Sequence, residues 1–317
     1  MREISLDDIR DEANRHFSLV VTGSSEPSRR VVVDALSGGV KAADSPVVNH
    51  PTSAGWDPLF ERASLVLYTL GSGQIDSGDI ELLRRIAAIG LPVVVVSLGA
   101  TALVGDGASL DALDALPANP RYRVRMLRVQ GEEIGDPVVK AVLKDLEAFD
   151  LALARRLPPF RPFVSHQLIT EGARANAEFA LMSNLPAVIP VVGNIVTASA
   201  DLFVLTKNQM LLVFKLAAAH GAEIQSSRKV LTELIPVVGA SFFWRSLARE
   251  LAALLPAGVG ALPKTTIAYT GTYVAGRSAQ YYYSTGHRPS PDTVTIFYKE
   301  AMDRVRAFMR RREGGGK

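Results

Sequence analysis

Between Phe17 and about Phe149 the chain alternates two kinds of apolar pattern. The runs "FSLVVTG", "SPVVNHP", "ASLVLYTLG", "LPVVVVSLG" and "RYRVRMLRV" are rich in Val and Leu and are bounded by Gly or Pro, as strands are. "LPVVVVSLG" is apolar on both faces, which a central parallel strand needs because helices cover it above and below. Between the runs lie "SRRVVVDALSGG", "SGDIELLRRIAAIG", "SLDALDALP" and "DPVVKAVLKDLEAF", whose apolar residues recur three or four apart. The second of these predicts a helix that begins near Ser77 and stops at Gly90 in the left-handed conformation. Alternating units of this length predict an α/β doubly wound parallel sheet over residues 17–154. Residues 1–16 mix both charge signs and read as an amphipathic cap helix.

"ARRLPPFRPF" then breaks the rhythm with three prolines and a basic pair, marking a Pro-rich junction at 155–163. From Val164 onward strand signals nearly vanish, and Ala, Leu and Gly dominate. That composition predicts a mainly α-helical C-terminal domain over 164–317. Inside it, Ile189-Pro190-Val191-Val192-Gly193 recurs as Ile235-Pro236-Val237-Val238-Gly239. Proline breaks the preceding helix and glycine permits a sharp bend, so each copy reads as the turn between two apolar helices. Chance recurrence in an Ala- and Val-rich stretch is the alternative. Pro190, Gly193, Pro236 and Gly239 are candidate points of membrane or partner contact.

Composition narrows the functional classes. At 317 residues the length suits two domains, and a hydrophobic share of 48% is high enough to suggest surface that meets lipid or a partner. A formal charge of +3 is too small a basic excess to imply nucleic acid. Absent cysteine removes disulfides, thiolate catalysis and Cys-type metal sites, and fits a reducing cytoplasm. The five histidines, at 16, 50, 166, 220 and 287, have no metal-binding spacing, so neither a metal nor any other cofactor is expected.

The stretch "VVTGSSEPSRRVVVDAL" has the strand, turn and helix of a phosphate-binding loop. In the pattern GxxxxGK[ST] the lysine reaches the terminal phosphates and the hydroxyl holds magnesium. Counted from Gly23, Ser28 takes the second glycine, Arg29 the lysine and Arg30 the hydroxyl. A cation at that last position repels Mg²⁺. Gly23, Ser24, Ser25, Ser28, Arg29 and Arg30 remain candidates for weak anion or nucleotide binding at a helix start; structural retention of the turn is the plainer reading.

On these residues the first domain resembles the Era and EngA type of bacterial translation-factor-like GTPases, in degenerate form. The family's DxxG falls on Asn49-His50-Pro51-Thr52, and its guanine-reading NKxD falls on Ser97-Leu98-Gly99-Ala100. The resemblance implies a P-loop GTPase-like frame that has lost its metal and base contacts at three separate places, and hence no catalytic residues. The second half, from "ARRLPPFRPFVSHQLITEGARANAEFALMSNLPAVIPVVG" through "DLFVLTKNQMLLVFKLAAAHG", looks like a bacterial domain of unknown function that often follows such GTPase domains. That domain is commonly predicted to be membrane-associated. The most specific part of the likeness is Leu205-Thr206-Lys207-Asn208-Gln209.

Between Glu178 and Asp201 no charge occurs, a length nominally able to cross a hydrocarbon core of about 30 Å. Its prolines, glycine and asparagines favour a re-entrant hairpin or a buried helix pair. Asp201, Lys207, Arg245, Arg249 and Glu250 would each cost about 2.5 to 3.5 kcal/mol at mid-bilayer, which argues against multiple spans. Asp201 with Lys207, Asn208 and Gln209 reads either as a buried functional cluster or as a satisfied helix contact. In the tail, Arg304, Arg306, Arg310, Arg311 and Arg312 share a helix with Val305, Phe308 and Met309. They suit either an anionic lipid surface or a solvated helix end.

Together these features lead to a non-catalytic GTPase-like scaffold or adaptor on the cytoplasmic face of the inner membrane. Its partner is the membrane surface or a membrane-associated protein, and a homo-oligomer is compatible with the sequence. A nucleotide-responsive switch without strong hydrolysis and a membrane-remodelling or pore-forming protein are the alternatives.

Overall fold

The computed structural model of the protein describes residues 5–51, 56–70, 77–98, 124–129, 134–182, 193–223 and 264–314. Helix α1 (Leu6–Ala13) comes first, and the chain forms two compact units, one of Asp11–Phe163 and the other of Val164–Lys317 together with Met1–Arg10.

In the first unit, β1 (Leu19–Gly23), β2 (Val47–Pro51), β3 (Leu65–Leu70), β4 (Val93–Leu98) and β5 (Val124–Val129) form one sheet in the order β2-β1-β3-β4-β5. Every neighbouring pair is parallel. All five strands fall within the five apolar runs of the sequence. β1, β3 and most of β4 are buried at each residue, so both faces of the sheet are covered. On one face, Val20, Val66, Tyr68, Val93 and Val95 pack with Phe60 of α3 (Leu59–Arg62) and with Leu83 and Ile86 of α4 (Ser77–Ala88). On the other, Leu19, Val21, Leu65, Leu67, Val94 and Val96 are fully buried. That face is the one met by α2 (Glu26–Ser37) and α5 (Gly135–Asp145), which also touch each other. Full burial of a Val, Leu or Phe side chain contributes roughly 1.5–3 kcal/mol, so the two faces hold most of the unit's stability.

The helix ends follow local chemistry. Ser25 caps α2, and Pro27 sits in its first turn, where a missing N–H costs nothing. Gly38 closes α2 at φ 56° and returns its N–H to the Asp34 carbonyl at 3.0 Å. The strand order reverses between β1 and β3, whose sheet neighbours lie on opposite sides. In doubly wound sheets the crevice beyond the strands' carboxyl ends at such a point is where ligands bind. It puts Gly23 and Thr69 at the centre of attention.

Residues 155–163 are built rather than loose. Helix α6 (Asp150–Arg156) ends at Leu157, which is extended ahead of Pro158, as a residue before proline prefers. A 3₁₀ turn (Pro158–Phe160) follows, with Leu157 and Phe160 fully buried, and α7 (Arg161–Met182) starts with Pro162 in its first turn.

The second unit contains the body of α7 with α8 (Gly193–Ala219), α9 (Lys264–Thr285) and α10 (Pro291–Gly314). α9 packs on α8 and on α10. Gly276 makes the tightest approach: a Cβ there would lie 2.8 Å from Ile169 and 3.1 Å from Leu212. Val274 of α9 joins Phe297 and Tyr298 of α10 in a second core. Ser290 caps α10 by accepting from the Thr293 N–H at 3.2 Å. Among the described residues no helix is long and apolar enough to cross a membrane.

Candidate functional site

The β1–α2 turn gathers four of the six candidates of the phosphate-loop layout. Gly23 ends β1 at φ 144°, and a Cβ there would fall against the carbonyl oxygen and hydroxyl of Thr69. Only glycine fits this approach of β1 to β3. Ser25 Oγ accepts from the Ser28 N–H at 3.4 Å and from the Ser28 hydroxyl at 2.9 Å. Arg29 folds inward and is 6% exposed. Its Nε donates to Asn49 Oδ1 at 3.0 Å, and Nη1 donates to the Gly23 carbonyl. The other two candidates stand apart from this group. Ser24 is exposed, and Arg30 lies on the outer side of α2 paired to Glu26 at 2.6 Å, with 70% of its side chain exposed.

The residue at the lysine position therefore ties β1 to β2. Its partner Asn49 stands where the DxxG layout would have its acidic residue, and the Asn49 amide oxygen receives the guanidinium. Both acceptors are neutral. Among the described residues no carboxylate lies within ion-pairing distance of Arg29.

The opposite face of the same strand ends holds a cluster that the sequence analysis does not single out. Thr22, His50 and Tyr68 occupy one register across β1, β2 and β3, so their side chains share the α3–α4 face. The Tyr68 hydroxyl donates to the Asp79 carboxylate in the first turn of α4. His50 stands edge-on to Phe60 at 5.0 Å, with its Nε2 3.7 Å from Asp57. Thr22 Oγ1 and both ring nitrogens of His50 are buried without a hydrogen-bond partner. A polar group left so is costly, by about 1–3 kcal/mol. The signal was present in the sequence as a polar residue near the end of three apolar runs, but only the strand register puts them in a row.

In the helical unit, Asn208 and Gln209 of the "LTKNQ" stretch belong to a contact joining three helices. Asn176 of α7 is fully buried; its amide donates to Thr272 Oγ1 of α9 at 2.8 Å and to the Leu205 carbonyl of α8 at 3.4 Å. Asn208 donates to Asn176 Oδ1 at 2.8 Å, and Gln209 donates to Thr272 at 3.2 Å. Of the candidate contact residues, Gly193 opens α8, while Pro190, Pro236 and Gly239 lie outside the described residues. Arg310, Arg311 and Arg312 fall within the last turns of α10, and their side chains lie outside the description.

Another surface of this unit is polar and aromatic. Arg277 donates to Glu300 at 3.2 Å and to Gln280 at 2.7 Å, and its guanidinium lies 4.8 Å from the Phe297 ring centre. Arg304 donates to His166 Nε2 at 2.8 Å and lies over the Tyr273 ring at 5.3 Å. Burial and then the nearby Arg304 and Arg277 charges hold the His166 pKa below its usual value, while Glu300 opposes them. Burial raises the phenol pKa of Tyr269 and Tyr273, against the pull of Arg304. Among the described residues no three His, Asp or Glu side chains are placed to hold a metal ion.

The fold and these clusters define a doubly wound parallel α/β unit joined to a helical unit. In comparison with known proteins, no family model and no curated protein matches the chain.

Proposed function

We propose that the α/β unit is a degenerate GTPase-like scaffold, one that does not clasp a metal-bound nucleotide, and that it carries a helical unit which contacts a membrane surface or a membrane-associated partner. The observation that carries the first half is the inward fold of Arg29 onto Gly23 and Asn49. The basic side chain that would meet a terminal phosphate is engaged inside the turn, and Arg30 is paired with Glu26 at the magnesium-binding position. A guanidinium is also a poor replacement for a compact ammonium over a triphosphate. Support for the second half comes from the basic run at the end of α10 and from Leu181 and Met182, which are 62% and 68% exposed where α7 ends. Phosphate release from GTP and ATP with magnesium tests the first half, and turnover above the buffer rate refutes it. Carbonate washing of cell membranes tests the second. Recovery of all the protein in the soluble fraction before any wash counts against membrane contact.

One observation favours a second reading, a nucleotide-responsive switch without strong hydrolysis. Arg29 is a buried cation with neutral partners, and an anion seated over the turn would supply its missing counter-charge. Under this reading Arg29→Glu with Arg30→Glu abolishes nucleotide binding that the native protein displays in calorimetry. Native protein without any such binding removes the reading.

A further inference from the structure

Arg304 differs from three other arginines of the helical unit in what holds it. Arg277 is paired to Glu300 at 3.2 Å, Arg174 to Glu178 at 3.3 Å and Arg306 to Asp303 at 3.4 Å. Among the described residues Arg304 has no carboxylate within ion-pairing distance; its partners are an imidazole and a phenol ring. A guanidinium only donates, so His166 Nε2 accepts, and the imidazole is neutral with its proton on Nδ1. Tyr273 stacks on Tyr269 with ring centres 6.2 Å apart, giving the cation an aromatic floor. The cation is thus oriented by uncharged groups, while Arg304 and the partly covered His166 both keep a face open to solvent.

We propose that Arg304 and His166, floored by Tyr273 and Tyr269, form a phosphate-binding site that takes the headgroup of an anionic lipid. A planar fork of five N–H groups matches phosphate oxygens in pairs, and His166 and Tyr273 engage only part of that fork. A phosphomonoester loses its second proton at about pH 6, close to the ordinary imidazole value of 6.5. Without ligand, Arg304 and Arg277 repel a proton from His166, and among the described residues Glu300 attracts one. An arriving phosphate reverses that balance. His166 then takes a proton from solvent, turns from acceptor to donor, and holds the anion beside Arg304 through hydrogen bonds only. The lipid source rests on the proposed membrane contact of this unit and follows from position, because Arg304 lies on the helix that runs on into Arg310, Arg311 and Arg312.

The test is co-sedimentation of the full chain with phosphatidylcholine vesicles, with and without phosphatidic acid, at about pH 5 and about pH 8. Arg304→Gln is expected to lower binding to the phosphatidic acid vesicles by more than about tenfold. Lys299→Gln, which removes an exposed charge from the same helix, is expected to lower it by no more than about fivefold. His166→Gln is expected to abolish the gain in binding on acidification. Equal losses in the Arg304 and Lys299 variants, with unchanged circular dichroism melts, overturn the site and leave membrane contact standing as diffuse attraction. If no vesicle is bound, titration of inorganic phosphate against the His166 ring resonances decides. A saturable shift lost in Arg304→Gln keeps the phosphate site while refuting the lipid source, and no shift refutes both.

Discussion

The two units keep their polar groups in opposite places. In the α/β unit the interior is apolar, and polar side chains gather at the carboxyl ends of the strands: Arg29 with Asn49 on one face, Thr22, His50 and Tyr68 on the other. In the helical unit a hydrogen-bonded amide cluster, Asn176 with Asn208, Gln209 and Thr272, sits between three helices. Sheet register is held by the backbone hydrogen-bond ladder of each parallel pair, so the strands need no buried polar key. α7 and α8 have little contrast between their faces, and a slide or rotation of one against another would bury similar surface. A single satisfied polar contact makes one register cheaper than the rest, as a buried asparagine does in coiled coils. The comparison teaches that polar residues at strand ends are free to serve a ligand or to lock a turn, whereas those between helices serve the packing.

The sharpest blow to the α/β side is Gly23→Ala. Its side chain would meet Thr69 in a backbone conformation that suits glycine, and backbone strain with overpacking together predict a loss of about 3–5 kcal/mol in urea unfolding. On the helical side, Asn176→Ala strips Asn208 and Thr272 of a buried partner, for an expected loss of about 2–3 kcal/mol. Replacing Asn176, Asn208 and Thr272 together by apolar residues of similar size sharpens the contrast. Stability is expected to return to near the native value while the unfolding transition broadens, because the key is gone and the burial is kept. A transition as steep as the native one would remove the register argument.

Smaller effects separate the two arginines of the turn. Arg29→Met leaves the Gly23 carbonyl and Asn49 without their donor and is expected to cost about 1–3 kcal/mol in the same unfolding measurement. Arg30→Met removes only an exposed pair and should change stability by less than about 0.5 kcal/mol. The pH dependence of His166 is smaller still. Its native pKa is depressed, so below its ordinary value of 6.5 the unfolded chain takes up the proton first, and stability falls as pH drops through that range. His166→Gln should flatten this part of the melting temperature profile between about pH 5 and pH 8.

How much of this was legible in the sequence divides along the same line. The five strands were, because each lies in a short Val- or Leu-rich run bounded by Gly or Pro, and the central ones are apolar on both faces. The stop at Gly90 was legible from glycine chemistry, and Gly90 does adopt φ 79°. The expected helix at "SLDALDALP" and most of the repeated "IPVVG" motif lie outside the described residues. The glycine and the strand–turn–helix layout of the β1–α2 segment could be read from the phosphate-loop spacing. That Arg29 turns inward could not, because it depends on Asn49, which is 20 residues away and reaches it only through the pairing of β1 with β2. The row of Thr22, His50 and Tyr68 was hidden for the same reason. Asn176 gave no sign either, as a lone polar residue on a helix reads as surface until its neighbours are known. Local propensity reveals elements, while sites arise where separate elements meet.

The central proposal is that the α/β unit has the frame of a nucleotide switch without the grip on a metal-bound triphosphate. Isothermal titration of the native protein with GTP and with ATP, each with and without magnesium, tests it most directly. The account predicts no saturable heat with either nucleotide and no dependence on magnesium. A micromolar affinity that requires magnesium and disappears in Arg29→Met would contradict it.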